Sequence, residues 1–188
     1  MYNKNFKGDV CSHSHSFFLD NFVRRLIQNP KRIVGEYIRK GDTIIDLGCG
    51  PGYFSIDMAE LTGETGKVIA VDLQTEMLAK VGGKAAAKNL AGIIHLHQCY
   101  QNRIGLAPET KADFILAFYM VHETQDPDDF LEQVKELLRP GGKFLLVEPM
   151  FHVSKIQFEK ILESAKRTGF TQLDRPKRKG GRSVLLSL

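Results

Sequence analysis

The chain has 188 residues with 43% hydrophobic content, enough for one folded domain with a real core. A net charge of +4 is too modest to name a nucleic-acid partner by itself. No apolar run reaches bilayer-spanning length and residues 1–16 lack a secretory apolar stretch, so the expectation is a cytoplasmic chain with no membrane partner. Cys11, Cys49 and Cys99 are odd in number without Cys-x-x-Cys spacing, which argues against a disulfide framework.

Residues 1–40 carry apolar periodicity (Phe18, Phe22, Leu26, then Ile33, Val34, Tyr37) and read as one or two helices packed on the core or over its ligand edge. Residues 41–188 form the core proper. Residues 43–47 are a short apolar run ending in glycines, as a buried parallel strand is. A helix follows over 53–61, a break over 63–66 and a second buried strand over 67–71. Residues 75–89 read as a helix, although Gly82 and Gly83 each cost about 1 kcal/mol relative to Ala within it.

Residues 93–98 and 114–118 are the third and fourth strands. The next helix is marked by Asp126 as cap, Pro127 at its first position and the stripe Phe130, Leu131, Val134, Leu137, Leu138. Pro140-Gly141-Gly142 is expected to stop it and turn into a strand over 143–147. Ser154 and Gln157 spell a capping box for a helix ended by Gly169, and 170–174 with 183–188 read as a closing hairpin. Strands alternating with helices imply a doubly wound, mostly parallel α/β sheet covered on both faces.

In such sheets ligands bind beyond the carboxyl ends of the strands, where strand order reverses. The segment Asp46-Leu47-Gly48-Cys49-Gly50-Pro51-Gly52 lies there, and Asp72 stands twenty residues beyond Gly52. Alternating glycines let a ligand touch backbone, and a carboxylate at that spacing can accept both ribose hydroxyls. A dinucleotide fingerprint calls for Gly or Ala where Tyr53 stands, and Pro51 removes an N–H from the turn. Asp46 repels phosphate but suits an ammonium and a sulfonium; a structural hydrogen-bond role for it is equally compatible. Charge logic therefore favours a cationic ligand.

These residues resemble the class I S-adenosylmethionine-dependent methyltransferases. The 46–52 segment is similar to their glycine-rich first motif, Val71-Asp72-Leu73 with Met77 to their second, and 138–144 to the turn before their fifth strand. The resemblance spans roughly 41–188 and implies a seven-stranded Rossmann-like sheet with its last strand antiparallel. It implies S-adenosylmethionine as cofactor, with Gly48, Gly50 and Gly52 along the methionine part and Cys49 within the same loop. It further implies Asp72 on the ribose, Leu73 against adenine, Gln98, Cys99 and Tyr100 at the adenine edge, and Ala117 and Phe118 near the amino group. Cys99 stands where many family members carry an Asp; a thiol is a poor acceptor, which leaves the adenine contact to backbone or Gln98.

Methyl transfer from a sulfonium is an in-line displacement in which orientation can supply about 7–11 kcal/mol, so few catalytic side chains are needed. His122 and His152, on ligand-edge loops, are the candidate general bases; a loop-orienting or packing role competes for each. Residues 1–40, 100–111, 119–125 and 150–153 must build the acceptor site, and their aromatic and apolar content suggests a small-molecule substrate. His13, His15, His95 and His97 form only a weak metal pattern, and no metal is expected. The basic segment 175–182 leaves open an RNA or other nucleic-acid methyltransferase, although nothing aromatic interleaves it. A non-catalytic S-adenosylmethionine-binding subunit and a nicotinamide-dependent oxidoreductase are the other competing classes.

Overall fold

A computed structural model describes residues 28–188. The described chain opens on a short helix, α1 (Pro30–Val34), capped by the Asn29 side chain. Then follow β1 (Thr43–Leu47), α2 (Ser55–Thr62), β2 (Lys67–Asp72), α3 (Thr75–Ala87), β3 (Ile94–Gln98) and β4 (Ala112–Phe118). A 3-10 turn (Val121–Glu123), α4 (Pro127–Leu137), β5 (Leu138–Pro149), α5 (Lys155–Arg167), β6 (Thr171–Asp174) and β7 (Gly181–Ser187) complete it.

The seven strands run in the order β3-β2-β1-β4-β5-β7-β6. β7 alone is reversed, lying antiparallel between β5 and β6. Period-two alternation splits each central strand between two cores. Phe114 and Leu116 of β4 join Ile44, Val68 and the buried faces of α1, α2 and α3; Ile115 and Ala117 join Ile45, Leu47 and those of α4 and α5. The result is the three-layer, doubly wound α/β fold expected. β1 lies between β2 and β4, so chain direction across the sheet reverses there and leaves a crevice at the carboxyl ends.

Local chemistry explains the element ends. Asp126 accepts from the N–H groups of Asp128 and Asp129 at 2.9 and 3.1 Å, and Ser154 with Gln157 closes the reciprocal capping box. Two boundaries differ from the sequence expectation. α2 starts at Ser55, which leaves Tyr53 and Phe54 in the preceding turn, where their rings meet edge-on at 5.3 Å. β5 starts at Leu138 rather than 143, because Leu138 already pairs with Ala112 of β4. Gly142 permits that approach: a Cβ there would lie 3.0 Å from the Ala112 carbonyl oxygen. Gly82 has a similar reason, since a Cβ on it would meet Leu96 Cδ1 at 3.2 Å where α3 packs on β3. Nothing in the structure explains Gly83.

Of the N-terminal segment, Ile33 and Val34 are buried and Tyr37 packs on the same core. Phe18, Phe22 and Leu26 lie outside the described residues. Among the described residues no helix is long and apolar enough to cross a membrane.

Candidate functional site

The turn between β1 and α2 is built from left-handed glycines. Gly48, Gly50 and Gly52 have φ of +66°, +51° and +81°, a region that side chains occupy only under strain. Gly48 is crowded as well, since a Cβ there would sit 2.9 Å from Met120 Cβ. Gly52 lies 3.0 Å from Val81 of α3 by the same measure, so it fixes helix packing. Gly50 differs, because a Cβ there would meet nothing within 4 Å.

Asp72, at the end of β2, clamps this turn. Its Oδ2 accepts from Gly50 N–H at 2.8 Å and its Oδ1 from Gln74 N–H at 2.9 Å. Burial raises its pKa, and the bonds from Gln74 and Gly50 work against that rise. Asp46, 2% exposed, accepts from Ser55 Oγ at 2.5 Å. Burial first, and the Asp72 charge second among the raising influences, push its carboxyl up to about 7 despite the Ser55 bond. The structural hydrogen bond and a place on the cavity wall therefore coexist in one residue.

A cavity of about 460 Å³ opens over the turn, a volume in the range of small-molecule sites. Ten of the expected residues line it: Asp46, Gly48, Cys49, Gly50, Asp72, Leu73, Met77, Cys99, Tyr100 and Phe118. Gly52, Gln98 and Ala117 stand behind the wall. Gln98 donates its amide to the Leu73 carbonyl at 3.2 Å, holding the end of β2 to β3. The Cys99 thiol is pushed up to about 11 by burial, and Cys49 is raised by the same cause, so both stay neutral thiols. Electrostatically the wall is one-sided. Asp46, Asp72, Glu123, Asp126 and Asp129 line it, against Arg103 as the cation among its described residues.

The rim holds Tyr119 and Met120 from the 119–125 segment expected to build the acceptor site. Tyr119 lines the cavity at φ +64°, which for an aromatic residue costs about 1–3 kcal/mol. It is held there by three contacts: its N–H on the Val147 carbonyl at 2.7 Å, Gln28 Nε2 on its hydroxyl at 2.8 Å, and Phe118 against its ring at 4.3 Å. Gln28 also accepts Tyr53 Oη on its carbonyl at 2.9 Å, so the described chain begins beside the cavity.

His122 and His152 lie outside the cavity wall, with rings stacked at 6.1 Å, and His122 Nδ1 meets Glu148 at 2.5 Å. Glu148, 26 residues away in sequence, carried no local signal. His97 meets the Ile104 carbonyl at 2.8 Å, a structural task for a residue of the weak metal pattern; His13 and His15 lie outside the described residues.

The basic segment is not simply a solvated tip. Arg175 makes a two-pronged pair with Glu159, and Arg178 reaches the Ile33 carbonyl and Tyr37 hydroxyl at 3.0 and 3.1 Å. Two of its cations thus stitch the hairpin to α5 and to the α1 region.

A doubly wound sheet with a glycine turn, a carboxylate on that turn and an acidic cavity at the switch point defines a protein of the nucleotide-binding α/β class. Residues 38–175 match the family model described as a methyltransferase domain. The ubiquinone/menaquinone biosynthesis C-methyltransferases UbiE of Pseudoalteromonas translucida and Escherichia coli O1:K1 are each 30% identical over 143 residues, 76% of this chain and 54% of theirs. The chain thus spans about half the length of these curated relatives. A SAM-dependent methyltransferase from Aquifex aeolicus shares the fold with a TM-score of 0.84 at 24% identity, over 95% of this chain and 100% of that one. The chain belongs to the methyltransferase domain family, within the class I S-adenosylmethionine-dependent methyltransferases. S-adenosylmethionine is the cofactor that goes with this membership.

Proposed function

We propose that this chain transfers a methyl group from S-adenosylmethionine to a small-molecule acceptor by in-line displacement. The observation that carries the reading is the acidic cavity over the β1–α2 turn, whose five carboxylates suit a ligand bearing an ammonium and a sulfonium. The residues fit that group. Gly50 leaves open space, Asp72 presents a carboxylate for the ribose, and Leu73 and Met77 offer apolar surface to a base. Leu73, Cys99 and Tyr100 are assigned to the adenine end, Gly48, Cys49 and Phe118 to the methionine end. Gly52, Gln98 and Ala117 act from behind by shaping the turn and the strand ends.

The bound cofactor supplies an activated methyl group. The chain's own task is to orient and to exclude water, by which about 7–11 kcal/mol of the barrier can be removed. Tyr53, Tyr119 and Met120 give the acceptor side an aromatic and apolar rim. Similarity to ubiquinone/menaquinone biosynthesis C-methyltransferases is compatible with a small apolar acceptor. A nucleic-acid acceptor is disfavoured by the engagement of Arg175 and Arg178 within the fold.

The test is a pair of thermal-shift titrations followed by transfer of labelled methyl from S-adenosylmethionine to a small-molecule panel. Stabilisation by S-adenosylhomocysteine and not by NADH is expected. The reverse order, which a nicotinamide-dependent enzyme would give, contradicts the proposal.

A further inference from the structure

Position 99 leaves the adenine end of the cavity without an acid at the close of β3. The Cys99 side chain packs on the core cluster that contains Ile104 and Phe130, and a neutral thiol is a poor acceptor. Gln98 is no substitute, because it stands behind the wall with its amide on the Leu73 carbonyl.

The loop that follows is pinned to α4 instead. Tyr100 and Arg103 exchange backbone hydrogen bonds at 2.9 and 3.1 Å, and His97 meets the Ile104 carbonyl at 2.8 Å. Gln133 of α4 then makes three bonds at once. Its Oε1 accepts from Ile104 N–H at 2.8 Å, while its Nε2 donates to the Asn102 carbonyl at 3.0 Å and to Asp129 Oδ2 at 2.9 Å. Asp129 is thereby held by one oxygen beside the 102–104 loop. Its Oδ1 has no hydrogen-bond partner among the described residues. Cys99, Tyr100, Asn102, Ile104, Asp129 and Gln133 all line the cavity.

An acid in the first turn of a helix suits the dipole whichever way it faces. Asp128 meets that need outside the cavity wall, where it pairs with Arg167 at 2.9 Å. Asp129, its neighbour, meets it on the wall with one oxygen anchored and one open.

Resting on the methyltransferase reading above, we propose that Asp129 is the residue that recognises the adenine amino group of the cofactor, its open oxygen accepting the hydrogen bond that position 99 cannot. The base is then read from α4 rather than from the end of β3. A carboxylate accepts from an exocyclic amine but offers no hydrogen to a 6-oxo purine, so the site selects an amino purine over an oxo purine. Cys99 gains a physical account as well. An acid there would feel the Asp72 charge, which already raises the Cys99 thiol, whereas a neutral side chain avoids that repulsion.

Calorimetric titration of the full chain with S-adenosylhomocysteine and with S-inosylhomocysteine tests the assignment. The two ligands carry the same charges and differ only at the pairing edge of the purine. Loss of a carboxylate's general field therefore weakens both alike and leaves their ratio unchanged. The native chain is expected to bind the adenosyl ligand about tenfold to a hundredfold more tightly. In Asp129→Ala that preference should fall to about threefold or less, with the inosyl ligand bound no worse than before. Asp129→Asn, whose amide can donate to the 6-oxo group, should narrow or reverse it. This near-isosteric variant carries the test even where the Ala variant fails to fold. A native preference below about threefold, or one undiminished in the folded variants, overturns the proposal. Absence of any S-adenosylhomocysteine binding by the native chain is a different result: it overturns the methyltransferase reading, and this inference falls with it.

Discussion

Asp46 shows how one residue serves both the fold and the site. Its carboxyl lies at about 7 because burial and the neighbouring Asp72 charge disfavour ionisation. A carboxyl raised above its unfolded value holds its proton longer in the folded chain. Its contribution to stability is therefore complete at low pH and is lost as pH rises from about 4 to 7. A cationic ligand prefers the ionised form, so affinity for S-adenosylmethionine should climb between pH 6 and 8. Calorimetric titration at fixed salt should show that climb in the native chain and a flatter profile in Asp46→Asn. A flat profile in both would remove Asp46 from the binding event. Asp46 and Asp72 were legible because glycine spacing and strand ends mark them. Glu148 and the backbone of Tyr119 were not, since a contact across 26 residues and a left-handed aromatic leave no local pattern.

The β1–α2 turn separates two duties that the sequence presents as one glycine motif. Gly50→Ala and Gly52→Ala both place a side chain in the left-handed region, at about 1–2 kcal/mol. Gly52→Ala adds an overpacking cost of about 1–3 kcal/mol against Val81, whereas Gly50→Ala meets open space. Thermal melts should therefore show Gly52→Ala as the less stable variant. Gly50→Ala should keep its fold and lose donor affinity at least about tenfold if the added methyl enters the cradle. Equal melting temperatures with equal affinities would show that the turn has no such division. Element identity was readable from turn residues and caps, as the Asp126 and Ser154 caps illustrate. Element edges were not, because β5 begins where Leu138 finds Ala112, a tertiary pairing that overrides the Pro-Gly-Gly punctuation.

Across the whole molecule, alternation of buried strands with amphipathic helices left few topologies, and the doubly wound sheet with a reversed β7 is among them. That architecture brings the ends of β1, β2, β3 and β4 to one edge, so residues from Asp46 to Phe118 meet around a single cavity. The acceptor was less legible, because its side of the site is assembled from loops with no shared period. The most direct measurement is a calorimetric titration of S-adenosylmethionine into the native chain and into Asp72→Ala. The native chain should bind, and Asp72→Ala should keep its circular dichroism spectrum but lose affinity severely. Equal affinity in the two would contradict the assignment of this crevice to the methyl donor.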